Sequence, residues 1–203
     1  MKKVLLSAIV AILMASPAFA VITGSAHDFS GMLPTVTTEI CVYCHTPHNA
    51  DTTVTNAPLW DHTTTTASYT LYSSATLNAT MAQPSGISKL CLSCHDNTVA
   101  VDSFGVNAGA STISVAVPGT TANLGTNLGD DHPVGFLYDS ALASADGGLN
   151  DPGTTTAVSD LLFAGQMECA SCHDVHNNGP ATASALLRVD NAGSALCLTC
   201  HAK

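Results

Sequence analysis

The sequence predicts a mostly irregular chain with short α-helices at four cysteine motifs and one or two short β-strands. Three observations lead there. Aromatic residues make up only 5% of the chain, and Thr, Ser, Ala, Gly and Asn dominate stretches such as Asp51–Thr66 and Gly119–Gly129. Large apolar side chains are then too sparse to close a core unaided, so something else must fill the interior. Second, all eight cysteines fall into Cys41-Val-Tyr-Cys44-His45, Cys91-Leu-Ser-Cys94-His95, Cys169-Ala-Ser-Cys172-His173 and Cys197-Leu-Thr-Cys200-His201. Third, Ser111–Val117 alternates around Ile113, Val115 and Val117, the period of a strand.

Taken in order, the chain begins with an export signal over residues 1–20. Lys2 and Lys3 give the positive start, Val4–Met14 is an apolar run broken by Ser7, and Ala18-Phe19-Ala20 is a small-x-small cleavage site. The run is short for a membrane span, so a soluble mature chain over 21–203 is expected. Helices are predicted over Thr38–His45, Ser88–His95, Gly165–His173 and Ser194–His201, with Thr37 or Thr38, Ser88 and Ser194 as caps. A strand containing Thr98–Val101 is expected to pair with Ser111–Val117. Two repeat-like halves, about 21–106 and 130–203, meet at a junction over Asn107–Gly129, where Gly and Pro set turns.

The chemistry of the motifs is specific. Two thiols three positions apart on one helical turn can each form a thioether to a haem vinyl group, and the following His then reaches the iron as proximal ligand. Covalent attachment of four haem c groups is therefore expected, through Cys41, Cys44, Cys91, Cys94, Cys169, Cys172, Cys197 and Cys200, with His45, His95, His173 and His201 as proximal ligands. Disulfides suit an exported chain but do not require a His after every second Cys. Structural zinc leaves the same four histidines unexplained, and a thioredoxin-like motif needs a βαβ context that this chain lacks.

Five of the nine histidines lie outside the motifs: His27, His48, His62, His132 and His176. Methionines beyond the signal are Met32, Met81 and Met167, too few for His/Met ligation throughout. Bis-His ligation is thus expected, and with it a low potential. An internal repeat selects the ligands. Each half has an upstream His (His27 or His132), a Cys-x-x-Cys-His-x-x-His unit ending at His48 or His176, and a Cys-Leu-x-Cys-His unit. His27, His48, His132 and His176 are the expected distal ligands; His62 has no counterpart and reads as a surface histidine. His48 and His176 lie three residues beyond a proximal His, on the same side of a turn, so each should serve a different haem from its neighbour's.

The runs CVYCHTPH, Ala57-Pro58-Leu59-Trp60, CLSCHD, Asp131-His132-Pro133-Val134-Gly135 and CASCHDVH resemble tetrahaem cytochromes with doubled haem motifs from metal-reducing bacteria, a family that includes filament-forming extracellular members. The resemblance implies a multihaem cytochrome c fold built round a haem stack.

Beyond the signal, Lys89, Arg188 and Lys203 face fifteen acidic residues. Such a surface repels nucleic acid and anionic lipid. The expected function is electron transfer without catalysis, in the periplasm or outside the cell. Redox proteins or an extracellular acceptor are the expected partners, with a homopolymer as a further expected form. The alternatives left open are a haem subunit of a larger oxidoreductase and a small multihaem reductase. A mobile N-terminal arm carrying His27 is the expected link between polymer subunits.

Overall fold

The computed structural model of the protein describes residues 21–33, 36–54, 56–119, 121–176, 178–180 and 185–202. The export segment Met1–Ala20 lies outside them, as does Lys203. Most of the described chain is irregular, with short helices and one two-stranded sheet. No helix among the described residues is long and apolar enough to cross a membrane.

Every cysteine motif starts in a helical turn, but the bounds differ from those the sequence suggests. The first is a 3-10 helix, Ile40–Tyr43, entered from an extended Glu39. The second is the ten-residue α-helix Gly86–His95, which starts after Ser85. Ser88 is therefore inside that helix rather than capping it. The third is the single turn Cys169–Cys172, shorter than expected because Gln166–Met167 is drawn into a strand. Glu168 caps it: its carboxylate accepts from the Ser171 backbone while the Ser171 hydroxyl accepts from Glu168 N–H. The fourth is Ala195–Cys200, preceded by the 3-10 turn Ala192–Ser194. Ser194 does stand at its N-cap, yet in a left-handed conformation (φ 65°) and without a side-chain cap bond.

The predicted strand at Ser111–Val117 is instead a helical turn, Ile113–Ala116. The Thr112 carbonyl accepts from Val115 and Ala116, and Asn97 Oδ1 accepts from Ser114 N–H. Val101 N–H donates to the Ser111 carbonyl, so the two proposed strand segments do meet. One bond makes no ladder, however, and Val115 is exposed rather than buried. Alternation without a partner strand does not hold a strand.

The sheet that forms is an antiparallel ribbon, Phe136–Leu137 against Gln166–Met167, with Phe136 opposite Met167. Phe136, Tyr138 and Met167 then pack with Leu142, Ala143 and Val158 into the larger apolar cluster. Leu142 and Ala143 come from helix Ser140–Asp146, which Asp139 caps through Leu142 N–H and Gly147 ends at φ 69°. Met81 lies against this cluster, so two of the three candidate methionines serve packing. A second, smaller cluster joins Tyr69, Leu92 and Leu128.

Tyr138 links the larger cluster to the fourth motif. It is 2% exposed, and its hydroxyl donates to the Asn150 carbonyl (2.8 Å) and lies 3.2 Å from the Cys200 carbonyl. Tyr138→Phe should cost about 1 kcal/mol, because it removes the hydroxyl donor to the Asn150 carbonyl, while the Cys200 carbonyl keeps the bond from Asn150 N–H. The loss would be read from the chemical unfolding midpoint of the intact protein.

Candidate haem-binding site

After three of the motifs the chain leaves the helix extended and meets a returning segment, and the same two backbone bonds recur. The residue after the motif His donates to the strap: Thr46 to Leu59, Asp174 to Leu186, Ala202 to Gly148. Two residues further on, the strap donates back to the second Cys carbonyl: Asp61 to Cys44, Arg188 to Cys172, Asn150 to Cys200. Trp60, Leu187 and Leu149 thereby sit opposite His45, His173 and His201. Leu59 and Leu186 both adopt φ 57°, a conformation a bulky residue rarely takes and which the two strap bonds hold in place.

These returning segments also orient the imidazoles. His45 Nδ1 lies 2.9 Å from the Pro58 carbonyl, and His173 Nδ1 lies 2.8 Å from that of Ala185. His95 Nδ1 is 2.7 Å from the Ala122 carbonyl, supplied by another returning segment whose Leu124 N–H donates to the His95 carbonyl. A carbonyl can only accept, so Nδ1 carries the hydrogen and the lone pair is on Nε2. That is the tautomer a metal-ligating imidazole needs, with its second nitrogen anchored.

Histidines distant in sequence face one another. The His45 and His176 ring centroids are 6.2 Å apart and nearly parallel, at 16°. Those of His27 and His95 are 6.1 Å apart, and those of His132 and His201 are 6.4 Å apart. Each of these contacts joins one motif histidine to one non-motif histidine. His48 and His173 are both exposed, and neither ring contacts another aromatic ring among the described residues.

His27 is not on a free arm. Val21 N–H donates to the His176 carbonyl, His27 packs against Phe29 and His95, and its Nδ1 is buried without a hydrogen-bond partner. Burial first, then the neighbouring imidazoles of His95, His173 and His176, push its pKa down to about 4. It is neutral at pH 7, the form in which imidazole binds a metal.

His62 is not at the surface. It is 2% exposed, with Nδ1 2.8 Å from the Thr63 carbonyl and Nε2 3.0 Å from that of Ala100. Nε2 also lies 3.4 Å from Cys94 Sγ, so the ring sits beside the second motif.

All eight cysteines are free of disulfides. Burial pushes the thiols of Cys44, Cys94 and Cys200 up, to about 11, about 12 and about 11. Among the described residues no three His, Cys, Asp or Glu side chains gather closely enough to hold a metal ion by themselves. The donor set, with paired thiols, one anchored imidazole beside each of three pairs and an orphaned buried His27 nitrogen, fits haem c.

The straps carry no side-chain signature by which sequence reasoning could find them. Their nearest trace is a leucine shared by two of them, Leu59 and Leu186, too little to read as a pattern.

No curated protein matches the chain. Residues 163–203, which contain the third and fourth motifs, match the family model of the doubled CXXCH motif. That doubled motif indicates covalently bound haem c and supports a multihaem c-type cytochrome.

Proposed function

We propose that the chain carries four haem c groups and conducts electrons at low potential between redox partners outside the cytoplasm. The observation that carries this is the set of three facing imidazole couples, 6.1–6.4 Å apart. Two metal–nitrogen bonds of about 2 Å, plus about 1 Å from each nitrogen to its ring centre, require about 6 Å. On this reading His45 and His176 hold the haem of Cys41 and Cys44. His95 and His27 hold that of Cys91 and Cys94, and His201 and His132 that of Cys197 and Cys200. His173, with Cys169 and Cys172, takes the remaining ligand, His48. Bound there, the irons would supply one-electron exchange at the low potential typical of bis-His ligation.

The chain's own part is to hold, orient and close the sites. Carbonyls fix three proximal tautomers, burial keeps His27 neutral, and the paired imidazoles would occupy the positions that a substrate needs. Arg188, one of three fixed cations beyond the export segment, spends its guanidinium on the carbonyls of Asp160, Leu161 and Ala170. It is thus not poised to hold an anionic substrate, which supports conduction over reduction of a small oxyanion. Electrons would come from a reduced protein and leave to an oxidised protein or an extracellular acceptor.

The test is mass. Protein denatured and extracted with acid acetone should keep its colour and weigh four haems more than the polypeptide of the mature chain. Labile haem, or a smaller increment, would refute the reading. A second reading, a polymer subunit, is favoured by the exposure of both His48 and His173: a surface donor and a separate surface acceptor can join successive copies head to tail.

A further inference from the structure

The helix carrying the second motif, Gly86–His95, packs against the turn carrying the third, Cys169–Cys172. Their join is made of polar groups. Glu168 is 4% exposed, Ser88 0% and Ser171 1%. Glu168 Oε2 accepts from Ser88 N–H at 3.0 Å, and Ser88 Oγ accepts from Cys169 N–H at 3.0 Å. The same carboxylate accepts from the Ser171 backbone, and Ser171 Oγ accepts in turn from Glu168 N–H at 2.9 Å. One buried carboxylate thus takes N–H groups from the first turns of both haem-motif helices. Ser88 N–H is a first-turn donor of the kind that lacks an intrahelical acceptor, whereas Ser171 N–H also donates to the Glu168 backbone carbonyl at 2.9 Å.

The fit leaves no slack. Gly86 sits at φ 51°, and a Cβ there would fall 2.8 Å from Glu168 Oε1. The consequence reaches the thiols: Cys91 lies one turn beyond Ser88 in its helix, and Cys169, whose N–H Ser88 holds, opens the other directly after Glu168. Thioether sulfurs mark the edge of a haem, so the spacing of these two helices sets the spacing of two haem edges.

We propose that Glu168 is a positioning residue: by clamping the second motif to the third, it fixes the contact between their two haems and so the electron step across the middle of the chain. This rests on both motifs carrying haem, which the mass of the wild-type protein checks separately.

The readout is circular dichroism in the Soret band, where adjacent haems give a paired positive and negative signal that depends on their separation and angle. Glu168→Ala should keep four haems and low-spin iron yet lose part of that paired signal. Glu168→Gln, whose amide oxygen still accepts from Ser88, should retain it. Ser88→Ala removes only the bond from Cys169 and should cause a smaller loss; it decides the matter if Glu168→Ala does not accumulate. An unchanged signal in the alanine variants overturns the proposal. So does a loss accompanied by high-spin iron, because Glu168 would then act on ligation rather than spacing.

Discussion

Replacing His176 by Ala should turn one iron high-spin, and that iron should belong to the haem on Cys41 and Cys44 rather than to the neighbouring haem on Cys169 and Cys172. His176 follows its own proximal neighbour, His173, by three residues, but His173 has already left the helix in an extended conformation, so the assignment rests on where the His176 ring lies. Its ring lies 6.2 Å from that of His45, which belongs to the first motif. Removing it leaves that site with one protein ligand. Electron paramagnetic resonance of the oxidised protein should show one high-spin centre, and the reduced protein should bind one equivalent of carbon monoxide. The assignment can be tested in a chain with Cys41→Ala and Cys44→Ala, where the first haem is missing. There His176→Ala should add no further high-spin iron; if it does, His176 serves its own motif and the exchange of ligands between halves is wrong.

What could be read in advance follows where the information sits. The helical start of each motif was legible because Cys-x-x-Cys-His is contiguous and its chemistry dictates one turn. Grouping His27 with His132 was legible through the repeat, since each opens a half. Their facing partners, His95 and His201, were not, because a contact across such a distance leaves no local pattern. His62 misled for a related reason: its partners are the Thr63 and Ala100 carbonyls, which every residue possesses. At Ser111–Val117 the apolar alternation was real, but a strand is made by its neighbour, and there the neighbour offers one bond. The ribbon at Phe136–Leu137 and Gln166–Met167 is two residues long on each side, below what a period can show. Glu168 reads as an ordinary acidic residue before a motif, and only the fold brings Ser88 to it.

The second large effect is expected at His48. Three motif histidines face a non-motif imidazole, which leaves His173 to be served. His62 is buried between the Thr63 and Ala100 carbonyls with Nε2 3.4 Å from Cys94 of the second motif, so His48 is the histidine left for the third. The facing rings of His45 and His176 favour it through the repeat: if the residue three beyond the third motif serves the first, its repeat counterpart three beyond the first would serve the third. His48→Ala should therefore make the haem on Cys169 and Cys172 high-spin, one centre of four, whichever copy of the chain supplies the ring. Assembly separates the two sources. His27 cannot be the link, because it is packed against His95 of its own chain. His48 and His173 are both at the surface, and joining them between copies leaves a free donor at one end and a free acceptor at the other, so growth does not close. Wild-type protein should then form long assemblies at moderate salt, where repulsion between acidic surfaces is screened, and His48→Ala should remain monomeric. If the variant has its high-spin iron but both proteins are monomers, His48 acts within one chain and the protein is a soluble carrier. If His48→Ala keeps every iron low-spin, the ligand exchange itself fails, and the third haem draws its ligand from elsewhere.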